Sequence, residues 1–172
     1  MMQTVAWWPT VIVLVVATVI DIRSRRIPNW LSLPFLLIGV VGSAIRGGLP
    51  AFLQSVAGIA VAVVVAGILC YLRGMGMGDL KLCAAVGAWI GPGQLLFALI
   101  VTGIAGGIMA VGYALWHGSL GRSLDSTAEL LSGFRKHGLR PHPVIAMENR
   151  QSLKMPYAPA IAVGTLFSFF AR

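Results

Sequence analysis

Apolar residues fill this chain in long runs, and the polar positions gather between them. The runs cover residues 5–22, 30–45 and 51–72. A fourth starts at 78 or 79 and ends at the Gly91-Pro92-Gly93 turn, and two more cover 94–116 and 157–171. Crossing the hydrocarbon layer as a helix takes ~20 apolar residues, and only a helix or a closed barrel satisfies its own backbone there. The pattern therefore predicts an all-α polytopic membrane protein with about six transmembrane helices, in one domain over residues 1–172. The second, fourth and sixth runs are short for a full crossing. Trp7 and Trp8 sit where an interfacial aromatic belt belongs. The first run has its arginines after it and not before it, so it reads as a retained helix rather than a cleaved signal.

Composition agrees. Of 172 residues, 58% are hydrophobic and 10% charged, and mean hydropathy is +0.87. A soluble domain of this length keeps too much surface to hide so much apolar material. The net charge of +8 raises the question of nucleic acid, but its distribution answers it. Arg23, Arg25 and Arg26 follow the first run, and Arg73 and Lys81 flank the third-to-fourth connection. Arg122, Arg135, Lys136, Arg140, Arg150 and Lys154 fill the last loop. In a six-span chain all of these fall on one side, and only Arg46 and Arg172 on the other. By the positive-inside rule both termini lie outside and the basic loops lie in the cytoplasm, at the inner (cytoplasmic) membrane. Membrane lipid, and no nucleic acid, is the expected surrounding.

The loop at about 117–155 is the one sizeable polar stretch. Ser126 and Glu129 have capping-box spacing, and Leu130, Leu131 and Phe134 form one apolar face, which predicts a short surface helix. His117, His137 and His142 read as solvated, without metal-ligand spacing. Cys70 and Cys83 lack a CxxC spacing and read as small buried hydrophobes. No metal and no cofactor are expected. Gly103 and Gly107 form a GxxxG, read as a close helix-packing face. The glycine alternation from Gly74 to Gly78 lacks the Gly-Lys-Ser/Thr ending that phosphate cradling requires.

The chain holds five acids. Asp125, Glu129 and Glu148 lie in the polar loop. Asp21 and Asp79 belong to the membrane region, where a carboxylate costs roughly 2.5–3.5 kcal/mol on insertion scales and marks a functional candidate. Asp21 ends the first span and Asp79 begins the fourth, so the topology brings both to the cytoplasmic face at similar depth. Two carboxylates that meet there share a proton, because like charges at close range do not both ionise cheaply. One then acts as general base on a water while the other polarises a carbonyl, the arrangement for direct water attack on a peptide bond. The plainer roles are an N-cap for Asp79 and an interfacial charge beside Arg23 or Arg25 for Asp21. Ion or proton translocation uses buried carboxylates as well.

Three stretches resemble one family. Gly76-Met77-Gly78-Asp79, extended by Lys81, resembles the GxGDxK motif of prepilin peptidases, which are GxGD-type intramembrane aspartic peptidases. Asp21 followed by Ile27-Pro28-Asn29 resembles that family's other aspartate motif. Met155-Pro156-Tyr157-Ala158-Pro159 resembles its last helix. The resemblance implies an aspartic endopeptidase that cuts the basic leader from type IV prepilins, pseudopilins or preflagellins. It implies Asp21 and Asp79 as the catalytic pair. It also implies Gly76, Gly78, Lys81, Pro28, Asn29, Pro156 and Tyr157 as residues that bind substrate or shape the site. The glycines would let an extended substrate approach the backbone closely. Longer members carry paired CxxC motifs and methylate the new amino terminus. Such cysteines are absent from this sequence, so it resembles the short form of Flp (tight-adherence) pilus systems, and peptidase activity without methyl transfer is expected. The alternative is a small proton- or ion-coupled transporter with Asp21 and Asp79 as its ion sites; a non-catalytic assembly partner is a third reading.

Overall fold

The computed structural model describes residues 4–71, 75–116 and 157–171, with side chains from residue 8 and excepting 113 and 114. All described elements are helices: α1 Thr4–Ser24, α2 Asn29–Tyr71, α3 Met77–Ile90, α4 Pro92–Trp116 and α5 Ala158–Phe170. They fall into two units. The first comprises Met1–Gly106 with Pro156–Arg172. The second is Gly107–Met155, of which the end of α4 is described. The surface helix expected near 126–134 and the three histidines lie outside the described residues.

The second and third apolar runs form one 43-residue element, α2, broken at Gly48 by a φ of 62° and a ψ of −153°. A positive φ is open to glycine at little cost. Contacts with α3 show what the break does. In the first arm (residues 29–47), Asn29 meets Lys81 and Gly39 meets Ala88 and Trp89, so the arm runs parallel to α3. In the second arm (residues 49–71), Ser55 meets Ala88, Gly58 meets Gly87 and Gly67 meets Leu80, so it runs antiparallel. The chain reverses at Gly48, and α3 packs against both arms of the resulting hairpin.

The interior is built from small residues. Ala17, Ala62, Ala66, Ala84, Ala85, Ala88 and Ala158 are buried, as are the hydroxyl residues Thr10, Ser32, Ser55, Thr102 and Thr165. Large apolar side chains such as Ile12, Leu37, Val64, Ile104 and Ile108 are exposed instead. Lipid removes the hydrophobic reason to bury a leucine, while small residues allow backbones to approach. At Gly58 and Gly87 the two helices touch backbone to backbone, and Gly164 of α5 lies against Thr102 and Ala98 of α4. Two described helices are long and apolar enough to cross a membrane: Asn29–Tyr71, with mean hydropathy 2.4, and Pro92–Gly112, with 2.3.

Two sequence expectations are corrected. The GxxxG pair is not the packing face of α4 among the described residues. A side chain built at Gly103 would meet nothing within 4 Å, whereas one at Gly106 would come within 3.2 Å of the Tyr157 ring. Small-residue spacing marks where a close approach is allowed, and the partner decides which glycine uses it. The cysteines also differ from each other. Cys83 is buried, as expected, but Cys70 is half-buried and donates its thiol to the Gly76 carbonyl at 3.4 Å.

Candidate active site

Asp21 lies in the last turn of α1, where the negative end of a helix dipole disfavours a carboxylate. Tertiary structure supplies the compensation. Asp21 is 4% exposed, and its Oδ2 accepts a hydrogen bond from the Ala158 backbone N–H at 3.0 Å. Ala158 opens α5, with Pro159 in its first turn, so the donor is one of the N–H groups that a helix start leaves without an internal acceptor. The acid is therefore held by the positive end of another helix. Just beyond it, α1 stops. Arg25 takes a φ of 50° and its N–H still reaches the Asp21 carbonyl at 2.8 Å, which turns the chain out toward Ile27.

Asp79 is the third residue of α3. The helix begins at Met77 with Gly76 as N-cap, one residue ahead of the expected start, so Asp79 is not itself the N-cap. It reaches back instead, its Oδ2 accepting the Gly76 N–H at 3.2 Å. This is one half of a capping box, and glycine has no side chain to return the other half. Here the carboxylate lies at the favourable end of its helix dipole.

The two motifs interlock. Ile27 is buried, and a β-carbon at Gly78 would lie 3.3 Å from its Cβ and 3.4 Å from its backbone nitrogen. Gly78 is thus the flat surface on which the first motif rests. Pro28 accepts from the Leu31 and Ser32 N–H groups and opens α2. Asn29 then accepts a 2.8 Å hydrogen bond from Lys81 Nζ. A β-carbon at Gly76 would lie 3.0 Å from Asp79 Oδ2, so the missing side chain leaves that carboxyl its place.

The Gly78–Ile27 and Lys81–Asn29 contacts bring the segment that follows Asp21 against the start of α3, which carries Asp79, so both acids lie at the same end of the bundle. Pro156 lies outside the described residues. Tyr157 precedes α5 and packs its ring on Gly106. Sequence reasoning gave no site role to the Ala158 N–H, Gly106 or Cys70, and it named Ile27 only as part of a motif. Only the first had a signal, since Pro159 announces a helix start and with it a free donor. Among the described residues no cluster of potential metal ligands occurs. Two carboxyls and an N–H donor can activate water and polarise a carbonyl without a metal.

The model of the type IV leader peptidase family matches residues 8–111, a span that contains both acids. The prepilin leader peptidase/N-methyltransferase of Escherichia coli K12 is 36% identical over 104 residues, covering 57% of this chain and 44% of that protein. The protein of the same name from Xanthomonas campestris is 33% identical over 116 residues, covering 63% and 39%. That from Neisseria gonorrhoeae is 33% identical over 104 residues, covering 57% and 36%. The match thus spans less than half the length of each of these relatives. No solved structure matches the chain.

Proposed function

The chain belongs to the type IV leader peptidase family, and on that footing we propose that it is an aspartic endopeptidase with Asp21 and Asp79 as its catalytic pair. Its substrate is the basic leader of a type IV prepilin or pseudopilin precursor. The observation that supports the reading is that the two membrane-region acids lie at one end of the helices and that each accepts a hydrogen bond from a backbone N–H.

In this proposal one carboxyl stays ionised and takes a proton from a water as that water attacks the scissile carbonyl. The other is protonated and donates to the carbonyl oxygen. The proton taken from water then passes to the amine as the C–N bond breaks, the other carboxyl recovers its proton as the carbonyl re-forms, and no acyl-enzyme forms. Lys81, Asn29, Pro28, Gly76 and Gly78 fix the two motifs against each other. Tyr157 shapes the site from the start of α5, with Pro156 preceding it. The whole is one membrane-embedded domain of six crossings with a cytoplasmic loop at about 117–155. Both termini are outside, and cleavage takes place at the cytoplasmic face of the inner membrane. The two arms of α2 support six crossings, because their reversal at Gly48 turns five elements into six passes. Leader cleavage is the activity proposed for these residues.

The test is co-expression with a candidate precursor, following leader removal by gel shift. Asp21→Asn and Asp79→Asn are each expected to lower cleavage by a factor of about 10² to 10⁴, the usual contribution of a general acid or base. Undiminished cleavage in either variant would remove that residue from the catalytic pair. Ion flux in proteoliposomes that depends on both acids, with no cleavage, would favour the transporter.

A further inference from the structure

At the other end of α3, roughly 15 Å from Asp79 by helical rise, a cavity of about 290 Å³ opens between the arms of α2, the end of α3 and the start of α4. None of its described lining residues is a carboxylate. Its wall includes Arg46, Gln54, Trp89 and Gln94. Much of the polar wall is already committed. Ser43 donates to the Val40 carbonyl, Ser55 to the Ala88 carbonyl and the Trp89 indole N–H to the Phe35 carbonyl. The Gln94 side-chain nitrogen is different, being buried with no hydrogen-bond partner. Buried donors are nearly always paired, so one that is not points to a group from outside.

Arg46 is held at the same place. Its guanidinium lies over the Trp89 ring, 5.7 Å from the centroid, and Trp89 is in turn stacked on Phe35 at 5.0 Å. The backbone has been cleared for both side chains. A β-carbon at Gly42 would lie 2.9 Å from the guanidinium, and one at Gly39 would lie 2.7 Å from the indole. Gln94 stands in the first turn of the 25-residue helix α4, whose opening N–H groups add further donors. A cation and an orphan amide nitrogen therefore converge beside a helix start, with no carboxylate among the described lining residues. Beside the opening, Ile45 and Leu49 are 78% and 68% exposed, an apolar surface continuous with the lipid-facing helices.

We propose that this cavity binds a phosphate-type anion, supplied by the headgroup of an anionic phospholipid whose acyl chains lie along Ile45 and Leu49. Arg46 provides the charge-assisted contact and Gln94 the second donor. The site is separate from the acid pair, and the proposal does not depend on the cleavage chemistry.

The experiment is native mass spectrometry of the full chain purified in detergent and titrated with phosphatidylglycerol, phosphatidylcholine or inorganic phosphate. The expected result is one retained phosphatidylglycerol, with about tenfold preference over phosphatidylcholine. Arg46→Ala should weaken that retention by about tenfold, as loss of a hydrogen bond to a charged group implies. Gln94→Glu, which puts a carboxylate in the cavity, should weaken it at least as much, while Asp79→Asn should not. Equal retention of the two lipids overturns the proposal, and so does retention unchanged in both cavity variants. Release of the lipid by millimolar inorganic phosphate assigns the site to a free anion and overturns the lipid source. Should Arg46→Ala not fold, Gln94→Glu and the lipid comparison on the unaltered chain still decide the question.

Discussion

Lys81 donates from Nζ to the side-chain oxygen of Asn29 at 2.8 Å, across 52 residues of sequence. The bond ties the start of α2 to α3 just after its first turn. It thereby ties the segment that follows Asp21 to the turn that carries Asp79.

If that tie positions the acids, Lys81→Met and Asn29→Leu should each slow leader cleavage by about three- to tenfold, the worth of a net hydrogen bond of ~0.5–1.5 kcal/mol. The double variant should be no slower than the worse single one, since both remove one interaction. Initial cleavage rates for the four proteins give the coupling. Fully additive losses would show that the two residues act separately.

The bond between Asp21 and Ala158 separates chemistry from structure. Asp21→Asn keeps an oxygen that can accept the N–H, so α5 should stay in place while cleavage falls. Asp21→Leu removes the acceptor and strands a buried donor, at about 1–3 kcal/mol. Thermal unfolding in detergent should therefore show a lower midpoint for the leucine variant than for the asparagine variant, with both lacking cleavage. Equal midpoints would mean that the contact does not hold α5.

Gly76 offers a more local perturbation. Its φ of −79° and ψ of 150° suit any residue, so Gly76→Ala carries no backbone strain. Its new methyl would meet the Asp79 carboxyl at 3.0 Å. We expect about a tenfold loss of cleavage with the unfolding midpoint almost unchanged, because misplacing a reacting group is costly in rate. Cleavage at the parental rate would show that the carboxyl is not needed where it lies.

The two kinds of glycine in the helices should respond oppositely. Gly58→Ala drives a methyl into the Gly87 backbone, which cannot rotate away, and should destabilise the fold by ~1–3 kcal/mol or more. Gly103→Ala meets nothing within 4 Å and should stay within about 0.5 kcal/mol of the parent. Unfolding midpoints measured side by side would settle it, and a neutral Gly58→Ala would contradict the backbone contact.

The sequence by itself determined that the chain is helical and apolar. It placed the breaks near Gly48 and Gly91, and it put Asp21 at the end of one helix and Asp79 at the start of another. These are local matters. Hydrophobic run length, glycine, proline and the placement of basic residues act within one element or its ends, so they are readable along the chain. Asp79 was legible as a helix-start residue, but as the N-cap, whereas it is the third residue of α3 and accepts the Gly76 N–H. What only the tertiary structure decided are the pairings: Asp21 with an N–H 137 residues distant, Lys81 with Asn29, Gly78 with Ile27 and Gly58 with Gly87. In this chain nearly every apolar position is compatible with lipid or with protein, so hydrophobicity does not say which face is inside. That choice falls to small residues and a few hydrogen bonds, whose partners are fixed only when the helices meet. The same reason explains why Gly106, and not Gly103, became the seat of Tyr157.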